Sequence, residues 1–174
     1  MKKINVIFII VSFTSCLHAA DCYSQTTKPG ASAVLAVFAA STPCSNGTRP
    51  LPGISANAGC ELIKWNLVLF HNPTTLQPTI FQLNCTYGLP LQGTTGFIGG
   101  GTKVSLTGKW VILKGTPANS NAVIYQLNAD KSGMTLSFLK LGDDLLHLLD
   151  SEKRLMIGNG AWSYTLNKVT SKKM

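Results

Sequence analysis

The chain has 174 residues, of which 45% are hydrophobic and 13% charged, with fifteen Lys and Arg against seven Asp and Glu and a formal net charge of +8. That length supports one domain with a real core and is too short for two comfortable ones. The basic side chains are scattered, without an arginine-rich stripe or an interleaved aromatic platform, which argues against nucleic-acid binding and reads as solvated strand faces.

The chain opens MKKINVIFIIVSFTSCLHAADC: two lysines, a nearly unbroken apolar run from Ile4 to Phe13, then small residues around Cys16. That order is the order of a secretory leader, and the run is too short to span a bilayer. Residues 1–20 are therefore expected to be a signal segment with one of two exits. In the favoured one, FTSC (Phe13 to Cys16) resembles a relaxed bacterial lipobox and Cys16 becomes a diacylated N-terminus. Each buried methylene of such an anchor adds about 0.8 kcal/mol of membrane affinity. In the other, cleavage falls near Ala20 and the product is unanchored. Residues 21–33, DCYSQTTKPGASA, are polar and small and read as a flexible tether.

From residue 34 to 170, Gly and Pro clusters punctuate segments whose apolar residues recur with period two, the pattern of antiparallel strands. Val34 to Ala40 is the first. In ELIKWNLVLF, Ile63, Trp65, Leu67 and Leu69 share a face, and in TIFQLNCTYG, Phe81, Leu83, Cys85 and Tyr87 do the same. GFIGGGTK (Gly96 to Lys103) has glycines but no flanking βαβ pattern, so it reads as a mobile hairpin loop. Further strands are expected at Val104 to Leu113, Ala122 to Asn128, Met134 to Leu141, Leu145 to Leu149 and Arg154 to Ile157. In the closing AWSYTLNK, Trp162, Tyr164 and Leu166 fall on one face. LLHLL is short enough for one helical turn, but its flanking aspartates favour a strand. The fold class is all-β: a small antiparallel up-and-down barrel, lipocalin-like, of about eight strands, with a β-sandwich as the competing architecture.

The order of TPC, a Gly-rich loop, CELIKWNLVLF, YGLP, GKWVI and AVIYQLNADKSGMTLSFLKLGDDLLHLLDSEKRLMIGNGAWSYTLNK resembles the N-terminal barrel domain of NlpE-type envelope lipoproteins. The parts most alike are the cysteine region, Tyr125 to Leu127, Leu146 to Asp150 and Ser163 to Leu166. The resemblance covers roughly Val37 to Lys168. It implies a lipocalin-like barrel on an outer-membrane lipoprotein, or a periplasmic protein, of a Gram-negative bacterium, in a family associated with copper tolerance and envelope-stress signalling. The chain departs from the pattern in two ways: the close C-x-x-C pair is spread to Cys44 and Cys60, and no second, OB-like domain is present.

Cys44 and Cys60 flank fifteen residues rich in Pro and Gly. Metal clips place ligands two to four residues apart and complete the shell with a second pair or with histidines. Neither cysteine has such a neighbour. A nucleophilic thiolate needs a base and a group that orients it, and no spacing here nominates them, so the chain reads as no enzyme. In an oxidising compartment two thiols around a slack loop join, which makes Cys44–Cys60 the expected disulfide, worth on the order of 3 kcal/mol. Cys85 faces inward by parity as a buried, inert thiol, and a bond to Cys22 would have to reach into the core.

The expected function is non-catalytic: a lipid-anchored barrel in envelope stress sensing or homeostasis, or one that binds a small apolar ligand, with an envelope protein as the other partner class. Trp65, Trp110, Tyr125, Phe138, Trp162 and Tyr164 are expected inside, as core or facing a ligand. The alternative is a copper or other metal-handling protein using Cys44, Cys60, His71 and His147. Otherwise no cofactor is expected.

Overall fold

The computed structural model describes residues 32–44 and 49–169. The leader, Cys16, Cys22 and most of the tether lie outside the described residues. Eight antiparallel strands follow one another in chain order around a closed barrel: β1 (Ala33–Pro43), β2 (Leu62–His71), β3 (Pro78–Gly88), β4 (Thr102–Thr116), β5 (Asn119–Ala129), β6 (Thr135–Leu141), β7 (Leu145–Leu149) and β8 (Thr165–Lys168). A 3₁₀ turn, Ile98–Gly100, sits in the glycine-rich loop before β4. The up-and-down barrel is the architecture that the alternation predicts, and LLHLL is a strand.

Period-two patterning becomes a core because cross-strand partners share a face. Phe38 pairs with Leu67, Leu67 with Leu83 and Trp65 with Cys85, and Leu83 with Leu106. Farther round, Trp110 pairs with Leu127, Leu127 with Leu136, Phe138 with Leu148 and Leu146 with Leu166. These inward side chains form one buried cluster. Gly108 is the inward position opposite Phe81. A Cβ there would collide with the Asn128 carbonyl oxygen, so only glycine lets β4 approach β5 while Phe81 fills the space beside it. Both interior indoles are satisfied: Trp65 Nε1 donates to Thr42 Oγ1 at 2.8 Å and Trp110 Nε1 to the Phe70 carbonyl at 2.7 Å.

Two expected strands come out differently. Arg154 to Ile157 contributes a single bridge, Leu155 with Leu149. Asp150 Oδ1 accepts the N–H groups of Glu152 and Arg154 and Lys153 has a left-handed backbone (φ 60), so the chain reverses at once and folds back along the barrel wall. The last strand begins at Thr165, not Ala161. Asn159 Oδ1 accepts from Ala161 and Trp162 N–H, and a Cβ on Gly158 would strike the Trp162 carbonyl. A turn therefore occupies 158–162, and Trp162 is 45% exposed where the alternation places it in the core, while Tyr164 is buried.

Folding back of the β7–β8 segment has a consequence for β5 to β7. Ile124, Ser137 and Leu149 lie on the outer face by parity, yet all are buried, because this segment covers them. Leu67→Ala removes a fully enclosed side chain and is expected to lower stability by about 2–5 kcal/mol in denaturant unfolding. Gly108→Ala, which adds only a methyl, is expected to destabilise through the β4–β5 collision. Unchanged unfolding midpoints for both would contradict this packing.

Candidate functional site

The barrel interior is occupied by the protein's own side chains. Trp65, Trp110, Phe138 and Tyr164 are buried and Tyr125 nearly so, and the Trp110 and Tyr125 rings pack with centroids 4.9 Å apart. Burial pushes the Tyr125 hydroxyl pKa up. Cys85, a free buried thiol, has its pKa pushed up to about 12 by burial, so it is protonated and inert at neutral pH. Of the six aromatics expected inside, five are core and Trp162 is outside.

Cys44 and Cys60 are joined, with Cα atoms 5.3 Å apart, and the bond is buried at one end of the barrel. Cys44 N–H donates to the Glu61 carbonyl and Glu61 N–H to that of Gly88, which ties the loop to β2 and β3. The alternative metal set is not brought together. The cysteine sulfurs are bonded to each other. His71 pairs with Ala33 at the start of β1 while Cys44 follows its end, about 30 Å away along the strand. His147 is occupied: Nδ1 bonds Thr165 Oγ1 and Nε2 the Met156 carbonyl, both at 2.9 Å. Among the described residues no three His, Cys, Asp or Glu side chains gather.

What the fold builds instead is a cleft of about 780 Å³ on the outside, between the disulfide-closed β1–β2 loop and the folded-back β7–β8 segment. Arg49, Pro50 and Pro52 form one wall, Lys153, Leu155 and Ile157 the other, and Gln126 and Ser137 lie at its base. Each wall is held from behind. Arg49 Nη2 donates to the carbonyls of Ala56 and Ala58 at 2.8 and 3.2 Å, and its loop is closed by the disulfide. The other wall is pinned by His147 and by Asp150, whose carboxylate accepts from Arg154 Nε at 2.9 Å. The Arg154 backbone N–H, foremost, holds the Asp150 pKa below its ordinary value. Arg49 and Lys153 share the cleft with the Asp150 carboxylate over apolar walls, a lining that suits an amphipathic ligand or peptide segment. Sequence reasoning did not nominate Arg49 or Lys153, because the cleft joins three segments that only the fold-back brings together. A second cleft of about 520 Å³ lies on the far side of the Lys153–Leu155 turn, against Leu139 and Leu141.

Replacing both Cys44 and Cys60 by Ser is expected to lower stability by about 3 kcal/mol, and non-reducing peptide mapping is expected to find the two joined. Cys85 sets a pH dependence. Its thiol titrates at a higher pH folded than unfolded, so its contribution is complete below about pH 9 and is lost as pH rises toward 12. Stability should fall across that window by up to about 1.4 kcal/mol per pH unit from this group. Cys85→Val should flatten the fall, and an identical alkaline profile in the variant would refute the assignment. No protein family, curated protein or solved structure matches this chain.

Proposed function

We propose that this protein is an exported, non-catalytic envelope lipoprotein, NlpE-like in its barrel and held at the outer membrane through Cys16. The cleft beside the Cys44–Cys60 loop receives an envelope protein segment or a small amphipathic ligand in stress sensing or homeostasis. The observation that carries the reading is the disulfide, a bond that persists in oxidising compartments and is rare in the cytosol, in a chain whose first twenty residues have the order of a leader. The filled interior supports placing the binding surface outside the barrel. The non-catalytic reading is supported by the state of the free thiol, buried and far from a thiolate, and by the engagement of both His147 nitrogens in structural bonds.

Metabolic labelling with a fatty acid tests the anchor. Wild type is expected to take up label and to fractionate with membranes, and Cys16→Ser to lose both. An unlabelled wild-type protein would end the lipoprotein reading.

A further inference from the structure

The β4–β5 hairpin outruns its neighbour. It pairs as far as Thr116 with Asn119 at its tip, whereas β5 pairs with β6 only from Ile124 with Leu139 to Asn128 with Thr135. Beyond that point Lys140 and Leu141 of β6 pair with Leu146 and Leu145 of β7 on their other side. Among the described residues, no strand lies beside residues 119–123 on the β6 side, and the wall parts there into a notch. The fold-back turn at Lys153, Arg154 and Leu155 comes up against the same place, and the three segments enclose the second cleft, of about 520 Å³. That volume lies within the range of small-molecule sites.

The lining of this cleft is apolar and of one charge. Pro117, Val123, Leu139, Leu141 and Leu155 supply apolar walls and Lys140, Lys153 and Arg154 the charge, with no carboxylate among the described residues that line it. The first cleft differs, having Asp150 in its wall and Gln126, Thr135 and Ser137 at its base. Two of the three cations are held by acids that do not line the second cavity: Lys140 by Asp143 at 2.7 Å, and Arg154 by Asp150 and Glu152 at 2.9 Å. Lys153 differs from both. Its ammonium makes no ion pair among the described residues, although the residue is half-buried. Its left-handed backbone (φ 60) is pinned by its N–H, which donates to the Asp150 carbonyl at 3.0 Å, so the side chain is fixed at the boundary of the two clefts.

We propose that the notch binds a single-chain amphipathic anion, an alkyl carboxylate or alkyl phosphate, with the chain against Val123, Leu139 and Leu141 and the anionic head on Lys153. Burial of the alkyl chain supplies the affinity. The lining selects the sign of the head group, since a cationic amphiphile of the same length would meet Lys140, Lys153 and Arg154 with no carboxylate in the cavity to receive it. A fatty acid and a lysophospholipid both present this chemistry. The site is separate from the cleft assigned to the partner above and does not depend on the lipid anchor.

The test uses the full chain as processed by the cell and a photoreactive dodecanoate with a diazirine on its alkyl chain, followed by peptide mapping. Saturable labelling is expected on the peptides that hold Val123, Leu139, Leu141 and Leu155. Dodecanoate and dodecyl phosphate should compete for it, and dodecylamine, of equal length and opposite charge, should not. Lysophosphatidylglycerol competing better than dodecanoate supports a lysolipid as the source of the anion, and the reverse order supports a fatty acid. Lys153→Asn removes the cation but keeps a residue that tolerates a left-handed backbone, and is expected to raise the half-saturating concentration about tenfold, the scale of one charged hydrogen bond. Leu141→Glu, at a position already 40% exposed, brings a carboxylate into the cavity and should abolish the labelling, while Leu141→Lys should retain it. Labelling that does not saturate, that dodecylamine displaces equally well, or that survives unchanged in Leu141→Glu overturns the proposal. Labelling confined to the peptide with Pro50 and Pro52 also overturns it, in favour of the first cleft.

Discussion

Everything in this fold depends on how the sheet closes. β8 is four residues long and meets β1 in two cross-strand pairs, Phe38 with Lys168 and Ala39 with Asn167, extended by Val169 N–H donating to the Val37 carbonyl at 2.8 Å. That seam removes the open edges of β1 and β8, which would otherwise present unpaired backbone groups to other chains. It also brings Tyr164 and Leu166 into the interior, where both are fully enclosed. Closure thus completes the core, and a completed core leaves the outer wall and the two ends as the surfaces for binding.

The two ends are built by different means. At one, a covalent bond and a set of side-chain to backbone hydrogen bonds hold long loops against the wall. Asp150, Asn159 and His147 each replace a stretch of sheet ladder with a local turn or tie, so the β7–β8 segment is ordered without being a strand. At the other, tight turns join the strands, with Asp143 and Asp144 of the β6–β7 turn paired to Lys140 and Lys168. Long structured loops held on a rigid scaffold suit recognition. This difference is why the cleft lies at the loop-rich end.

Much of this was legible in the chain. The runs Ile63 to Leu69 and Phe81 to Cys85 alternate strictly because one face is dry and the other wet, and parity put each of those residues on its observed side. The pairing of Cys44 with Cys60 followed from spacing and composition. The departures share one physical cause, side chains that capture backbone donors. Asn159 does so ahead of Trp162, and Asp150 ahead of Arg154, and in both places an alternating pattern yields a turn. The outer burial of Ile124 and Leu149 was not legible, since it needs a segment that returns over the sheet. The cleft was equally hidden: Arg49, Ser137 and Lys153 are far apart in sequence and none has a motif around it.

Amide hydrogen exchange at the seam is the most direct test of the central claim, that eight strands close around a filled interior. The Val169 and β8 amides are expected to exchange as slowly as those of the β2–β3 ladder, because opening the seam would expose the same core. Fast exchange in β8 with slow exchange in β2 and β3 would mean an open sheet with an accessible inner face, and would contradict the account.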